Sequence, residues 1–143
     1  MRLWHIDLIP YLPKGQLVAQ WRELNSIFKK EDKHILINYI YNYPKDYLLS
    51  YADKVINEMQ KRGYKIRSFV NFNKYFAMMD TDNVSLDWRY EEHDLEYLTI
   101  CCYNLKEKWM RGQKDFTDEV WYKIHEFKSN ALDLFIKEVM KSE

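Results

Sequence analysis

The adjacent charged residues Arg22 and Glu23 are the first candidates for chemistry in this sequence of 143 residues. A carboxylate such as Glu23 can stabilise positive charge in a transition state or move a proton. Both residues, with Gln16 and Ser26, lie off the apolar stripe of a helix that the spacing predicts over residues 14–28. That stripe consists of Leu17, Val18, Trp21, Leu24, Ile27 and Phe28. An exposed Arg-Glu pair is ordinarily only solvated charge, so the pattern by itself supports both interpretations.

A stretch rich in basic and aromatic residues is the second candidate. It consists of Lys61, Arg62, Tyr64, Lys65, Arg67, Phe69, Phe72, Lys74, Tyr75 and Phe76. Aromatic rings stack on bases and cations neutralise phosphates, so this composition predicts a DNA-binding surface. The same aromatic residues could instead form core, with the basic residues as a solvated rim. The formal net charge of zero gives no support from bulk electrostatics, because acids over residues 80–96 offset the basic stretch.

Histidines and an acid form a third group, His5, Asp7, His34 and His93. Imidazole and carboxylate can ligate zinc, but no pair among them has the spacing of a recognised zinc motif. We therefore expect structural or DNA-facing histidines, with no metal and no other cofactor. The alternative is a metal-dependent nuclease or hydrolase, which would be sensitive to chelators.

The elements that must position these residues are predicted to be helices. Hydrophobic residues make up 47% of the chain and aromatic residues 17%, which is enough for one core and one domain over residues 1–143. Only 3 glycines and 3 prolines are present, too few for an all-β or disordered chain. We predict an all-α fold, a compact single-domain bundle of three to four helices with long connecting loops.

Three further helices are predicted from apolar spacing and end signals. The clearest follows Pro44 and ends at Lys61-Arg62-Gly63, and a second runs from about Glu91 to Trp109. The last covers about residues 117–140, with a possible break at Ser129-Asn130. Residues 35–41 suit either a buried helix end or a short strand, and residues 64–88 are expected to be loop.

The cysteines and the chain start bear on location. Cys101 and Cys102 are sequence neighbours, which suits neither an ordinary disulfide nor a metal clip and implies a reducing compartment. Residues 1–13 carry Arg2 and Asp7 and lack the apolar run of a signal peptide or membrane span. We expect a soluble, cytoplasmic protein.

Three pieces of the sequence resemble the pyrimidine-dimer DNA glycosylase family, of the phage endonuclease V type. They are residues 16–24 (QLVAQWREL), the pair Lys33-His34 and residues 57–64 (NEMQKRGY). The opening residues 1–5 (MRLWH), with residues 7–10 (DLIP) and 12–13 (LP), are similar to a bacterial subgroup of that family. The resemblance covers roughly residues 1–125, with weaker similarity at His93 and at Trp121-Tyr122-Lys123.

The resemblance implies a helical domain that excises a damaged base and then cuts the abasic strand by β-elimination. It assigns Glu23 as the catalytic glutamate, Arg22 as its paired arginine and the N-terminal amine as the nucleophile. Two positions depart from the family: its threonine beginning is absent, and the arginine expected three residues after the glutamate is Ser26. We expect Met1 to be retained, because the next residue, Arg2, is large.

The chemistry that the resemblance implies suits these groups. An α-amino group has a pKa of about 8, so a fraction of the molecules carries a neutral, nucleophilic amine at physiological pH. The Met1 amine could form an imine at a sugar C1′, while Glu23 stabilises the developing positive charge and helps remove a C2′ proton. Dimers, oxidised pyrimidines and abasic sites can share this chemistry, so the lesion stays open.

Damaged double-stranded DNA is therefore the expected partner. Cations near the lesion would hold phosphates without reading sequence. The residues expected to contact DNA are Arg2, Arg22, Lys33, His34, Lys61, Arg62, Lys65, Arg67 and Lys123. Trp121 lies on an apolar stripe and suits the core at least as well as DNA contact. The rival to an enzyme is a catalytically inactive DNA- or partner-binding module on the same fold.

Overall fold

The computed structural model describes residues 1–80 and 83–142. These ranges contain no strand, so the predicted all-α class is confirmed. They contain two short 3₁₀ helices, Ile6–Tyr11 and Asn38–Asn42. They also contain five α-helices: α1 (Lys14–Lys29), α2 (Lys45–Lys61), α3 (Val70–Tyr75), α4 (Leu95–Met110) and α5 (Asp118–Lys141).

Helix α1 carries the first candidate residues and packs against α2 and α3. Pro13 precedes its first turn, where a missing backbone N–H costs nothing. The predicted stripe faces the core, with Leu17, Leu24 and Ile27 fully buried. Burial of such a stripe, at roughly 25 cal/mol per Å² of apolar surface, fixes how the helix is rotated about its axis. Arg22 and Glu23 consequently lie at the edge of the packed face.

Helix α2 ends where the sequence predicts. Gly63 has a φ of 79°, a left-handed conformation that suits glycine. The Gly63 N–H donates to the Gln60 carbonyl, and the Tyr64 N–H donates to the Met59 carbonyl. This hydrogen-bond pair is a Schellman motif, which satisfies carbonyls of the last turn.

Helices α4 and α5 pack against each other and begin at side-chain caps. The Asp94 carboxylate accepts from the Tyr97 N–H at 2.9 Å, so α4 begins at Leu95, four residues after the predicted start. The Thr117 hydroxyl accepts from the Val120 N–H at 3.2 Å in the same way. Trp109 and Trp121 stack across the pair with ring centroids 5.5 Å apart, which places Trp121 in the core.

The predicted break at Ser129-Asn130 is wrong, because α5 continues through both residues to Lys141. Relative to alanine, serine and asparagine each destabilise a helix by only roughly a few tenths of a kcal/mol, which a long helix tolerates. Beyond this point the apolar residues of α5 are partly exposed: Leu132, Phe135 and Val139 are 42%, 50% and 43% exposed. The buried side chains of α5, Trp121 and Ile124, lie in its first half.

Short helices occur in the region that the sequence left open, residues 35–41, and in the predicted loop, residues 64–88. Residues 35–41 form a turn that leads into the 3₁₀ helix Asn38–Asn42, so the strand alternative is wrong. Within the predicted loop, α3 forms because Phe69, Phe72 and Phe76 recur at helical spacing and pack on Phe28 or its neighbours. The loop prediction for residues 64–88 is therefore wrong at α3.

Cys101 and Cys102 are both free and buried in α4. Burial raises the pKa of each thiol, which keeps both groups protonated. Among the helices that the structure describes, none combines the length and apolar composition that a membrane crossing requires.

Candidate active site at the chain start and Glu23

The chain start is held by buried side chains, since residues 1–5 belong to no helix. Gln20 of α1 accepts a hydrogen bond from the Trp4 N–H at 2.9 Å and donates one to the Arg2 carbonyl at 3.1 Å. The hydroxyl of Tyr51 in α2 donates to the Trp4 carbonyl at 2.7 Å. Side chains from two helices thus replace the backbone partners that a helix would supply.

The second half of this segment is held from the other side of the bundle. The Tyr97 hydroxyl of α4 donates to the Leu3 carbonyl. His93 Nδ1 accepts from the Ile6 N–H at 3.1 Å, and its Nε2 lies 2.7 Å from the Tyr39 hydroxyl. Because Nδ1 accepts, the neutral ring carries its proton on Nε2 and donates it to Tyr39. Burial lowers the pKa of His93 to about 3, so this neutral form persists at physiological pH.

Glu23 lies half-buried beside this segment. Its Oε2 accepts a hydrogen bond from the Gln20 amide at 3.2 Å. Burial raises the pKa of Glu23, and the positive charge of the chain's terminal amine is the largest opposing influence. A hydrogen bond from the Arg2 backbone and the charges of Arg22 and Lys108 also lower that pKa. The predicted amine and carboxylate therefore lie near enough for the charge of the amine to act on Glu23.

This electrostatic setting suits acid-base work. A carboxylate with a raised pKa is a stronger base than an ordinary surface glutamate, while the surrounding cations keep its ionised form accessible. The same cations form a setting that attracts anionic ligands such as phosphate oxygens.

The two arginines of the site differ in exposure. Arg22 is exposed, and no ion pair is found for it within the part of the chain that the structure describes. Arg2 is half-buried, with its guanidinium carbon 5.9 Å from the Trp4 ring centroid and 5.8 Å from that of Tyr97. Cation–π contacts of this kind contribute roughly 0.5–2 kcal/mol and hold Arg2 against the protein.

Lys108 is a further cation whose charge lowers the pKa of Glu23, and no pattern in the sequence pointed to it. It lies in the last turn of α4, and its charge acts on Glu23, which is 85 positions earlier in the chain. No local spacing rule connects the two residues, because only the packing of the helices brings them close. A lysine in a last helical turn is ordinarily explained by the helix dipole alone.

Several residues predicted to contact DNA do not belong to the group around the terminal amine and Glu23. Lys33 and His34 follow α1, and His34 Nδ1 accepts from the Leu36 N–H at 3.2 Å within a turn. Lys65 and Arg67 are exposed in the connection between α2 and α3. Their contact with DNA stays a prediction.

Arg62 has structural partners. Its Nε donates to Glu58 at 2.9 Å, while its two terminal nitrogens donate to the carbonyls of Leu12 at 2.7 Å and Pro10 at 3.0 Å. The two terminal nitrogens thus tie the end of α2 to the segment before α1, while Nε bonds within α2. Neighbouring Lys61 is exposed.

The aromatic part of the basic stretch belongs mainly to the core. Phe76 is buried, and its ring lies 5.4 Å from that of Phe28 in α1. Phe69, Phe72 and Tyr75 are half-buried around it. Lys123, predicted to contact DNA from α5, is exposed and pairs with Glu119 at 3.2 Å.

Three of the four residues considered as possible metal ligands, His5, Asp7 and His93, make other contacts. His5 and His93 stack with ring centroids 5.5 Å apart, and Asp7 accepts from Arg89 at 2.7 Å. Burial lowers the pKa of His5, and its Nδ1 accepts from the Asp7 N–H at 3.1 Å. Over residues 1–80 and 83–142, no three His, Cys, Asp or Glu side chains are grouped so that they could hold a metal ion.

Comparison with known families gives one match, to pyrimidine dimer DNA glycosylase over residues 1–71. The matched region includes the chain start, α1 with Arg22 and Glu23, and all of α2. The resemblance seen in the sequence is thereby confirmed over this region, which is shorter than the roughly 125 residues expected. Comparison with curated proteins gave no match, and comparison with solved structures gave none either.

This match supports a general role in DNA repair as a glycosylase, with DNA as the substrate. The residues around the terminal amine and Glu23, namely Arg2, Gln20, Arg22 and Tyr51, lie inside the matched region. Tyr97 and Lys108 of α4 lie outside it. Residues 1–71, just under half of the 143 residues of this chain, match the pyrimidine dimer DNA glycosylase family, which is the family that the sequence resembles.

Proposed function

We propose that this protein excises a damaged pyrimidine from double-stranded DNA and then cleaves the abasic strand through an imine on its N-terminal amine. The observation that carries this proposal is that the charge of the terminal amine acts on the half-buried Glu23 carboxylate and lowers its pKa. Gln20 hydrogen-bonds both to this carboxylate and to the carbonyl of Arg2, the residue next to Met1. A nucleophile beside a carboxylate is the arrangement that this chemistry requires.

The first stage breaks the bond between base and sugar. The neutral Met1 amine attacks the sugar C1′, and the base departs with the bonding electron pair and takes up the proton that the amine loses. Positive charge develops on the sugar during this step, and the Glu23 carboxylate stabilises it. The amine nitrogen then expels the ring oxygen, which takes up a proton from the solvent, to give a protonated imine at C1′.

The second stage breaks the strand. Glu23 removes a proton from C2′, and the electron pair moves toward the imine and expels the 3′ phosphate oxygen with its bonding electrons. Water then hydrolyses the imine and frees the amine. The raised pKa of Glu23 supports its role as the base in this stage, because proton transfer is most effective when the base's pKa approaches the working pH.

Cations around the pair support the binding of a DNA backbone. Arg22 is exposed, and a guanidinium binds phosphate oxygens in a bidentate manner. Lys108 adds a second positive charge near Glu23. These contacts would place the sugar over the amine without reading the base sequence.

A non-catalytic DNA-binding module is the second candidate. The observation that favours it is Ser26, which stands where the family has an arginine and is exposed with its hydroxyl bonded to the Arg22 carbonyl at 3.3 Å. A module of this kind would bind damaged DNA and form no covalent adduct.

Borohydride trapping separates the two candidates, because reduction fixes an imine as a stable cross-link. The wild-type protein is incubated with duplexes that carry either one pyrimidine dimer or one abasic site. We expect trapping and strand cleavage with the wild type, and a fall of at least about 100-fold with Glu23→Gln. Glu126→Gln, an exposed acid on α5, is the matched control and should behave like the wild type. Full activity in Glu23→Gln would rule out the role of this carboxylate, and binding without trapping by the wild type would favour the module.

A further inference from the structure

We propose that Gln20 is a positioning residue that fixes the chain start and the Glu23 carboxylate in one geometry. The catalytic consequence of this inference rests on the proposed function, but the geometric part does not. Gln20 is 1% exposed and lies in α1, one turn before Glu23. A buried amide at this depth must find hydrogen-bond partners, because leaving its polar atoms unpaired costs roughly 1–3 kcal/mol.

Both donor hydrogens of the Gln20 amide and its oxygen have partners. The oxygen accepts from the Trp4 N–H at 2.9 Å and lies 3.0 Å from the Tyr51 hydroxyl, which has one hydrogen and lies closer to the Trp4 carbonyl, at 2.7 Å. The nitrogen donates to the Arg2 carbonyl at 3.1 Å and to Glu23 Oε2 at 3.2 Å. A glutamine amide has two donor hydrogens, and both are therefore used. Reversing the amide would pair donors with donors, which fixes its orientation.

The position of these contacts in the chain gives them a mechanical consequence. Arg2 is the residue next to Met1, so the hydrogen bond to its carbonyl restrains the backbone one residue away from the terminal amine. The same amide nitrogen restrains the carboxylate. Gln20 therefore sets the separation between the two groups through one planar unit, and small errors in such a separation cost large factors in rate.

The amide also acts on charge. Its N–H group donates to Glu23, and a hydrogen bond to the ionised form of a carboxyl favours that form. Loss of this donor should therefore raise the pKa of Glu23 above its value in the wild type. A residue that only filled space in the core would not produce this effect.

The test uses the full chain with Gln20→Met, which keeps the length of the side chain and removes the hydrogen bonds of its amide. Gln16→Met, a half-buried glutamine on the same helix, is the matched control. The first readout is the titration of the Glu23 carboxyl carbon by NMR, which needs no DNA and no activity. The second is the pH dependence of imine trapping on an abasic duplex.

We expect the Glu23 pKa to rise in Gln20→Met and to stay at the wild-type value in Gln16→Met. We expect trapping at pH 7 to fall about tenfold or more, with the acid limb of the pH profile moved to higher pH. Should Gln20→Met prove unfolded by circular dichroism, Gln20→Glu takes its place. That variant keeps the shape, removes both donors and adds a like charge beside Glu23, so the expected directions are the same.

The two readouts separate the inference from the proposed function. An unchanged Glu23 titration in a folded Gln20 variant that traps DNA normally would overturn the positioning role and leave the proposed function intact. A raised Glu23 pKa in a protein whose wild type traps no DNA would support the positioning role and contradict the proposed function.

Discussion

Glu23 differs from an ordinary surface acid because burial and positive charge act on it in opposite directions. Burial raises its pKa, and the terminal amine, Arg22 and Lys108 lower it. The carboxylate therefore remains a usable base in the presence of an attacking amine. The proposed role of Glu23 as a base depends on this balance between burial and positive charge more than on the presence of a glutamate alone.

Lys108→Met tests that balance. Removing this cation should raise the pKa of Glu23, so the acid limb of the activity profile moves to higher pH, where Glu23 becomes ionised. DNA affinity should fall by a similar factor for all sequences. Lys106→Met, an exposed neighbour on α4, is the control and should leave the acid limb in place. An unmoved limb in Lys108→Met would show that this lysine is remote from the working carboxylate.

Single residues of the site were predictable from sequence to different degrees. Arg22 and Glu23 could be selected because they lie off an apolar stripe and within a family-like segment. Gln20 and Lys108 could not, since their significance depends on which segments pack beside them. A glutamine two residues before an arginine carries no local signal, and its burial follows only from the docking of residues 1–5.

At the scale of elements, the extended chain start is held by α1, α2, α4 and the turn before α4. His93 belongs to that turn and bonds the Ile6 N–H, with its ring stacked on His5. Its neutral ring is a requirement of the fold, because a proton on Nδ1 would abolish the acceptor. The stability of this element should therefore depend on pH.

The sign of that dependence follows from the pKa of His93, which burial lowers from 6.5 to about 3. As pH falls below 6.5, the unfolded chain binds a proton at His93 that the folded chain does not bind, so stability is lost progressively down to about pH 3. His93→Gln should remove this pH dependence of the free energy of unfolding, whose slope approaches about 1.4 kcal/mol per pH unit. Urea unfolding of both proteins at several pH values between 7 and 4 measures it. His125→Gln, at an exposed position on α5, should keep the wild-type slope, and an equal slope in His93→Gln would contradict the assignment.

Element boundaries were predictable where a local cap decides them. Gly63 ends α2 as expected, because only a left-handed residue completes its Schellman motif. The start of α4 and the continuity of α5 were missed. The start of α4 was missed because the acidic residues before Asp94 suit a helix start equally well. In α5 the sequence suggested a break at Ser129-Asn130, but nothing in the tertiary structure interrupts the helix there. Helix α3 carried a readable signal in the spacing of Phe69, Phe72 and Phe76, which the composition of the stretch obscured.

At the scale of the whole molecule, the family match and the site have different extents. The match ends at residue 71, yet Tyr97 and Lys108 of α4 complete the surroundings of the chain start and Glu23. The second half of the chain therefore contributes directly to the candidate site. The formal net charge of zero leaves DNA binding to the local distribution of basic residues.

DNA binding should nevertheless weaken with salt, because phosphate contacts release counterions. Arg67→Glu should weaken binding equally for all sequences and reduce the slope of log affinity against log salt by about one. Lys137→Glu, an exposed position in the second half of α5, is the control for the change in net charge. Binding that does not respond to salt would contradict a phosphate-contacting surface. Equal weakening by both variants would show that net charge, and not Arg67, is responsible.

The most direct test of the central claim is to identify the atom that attacks DNA. Untagged protein, with its first residue verified by intact mass, is compared with protein that carries an uncleaved N-terminal extension. Both are trapped with borohydride on an abasic duplex, and the cross-linked peptide is mapped by mass spectrometry. We predict an adduct on the Met1 amine and loss of trapping in the extended protein, because a lysine with a pKa of about 10 is almost wholly protonated at neutral pH. Equal trapping by the extended protein, or an adduct on an internal lysine, would show that the terminal amine is not the nucleophile.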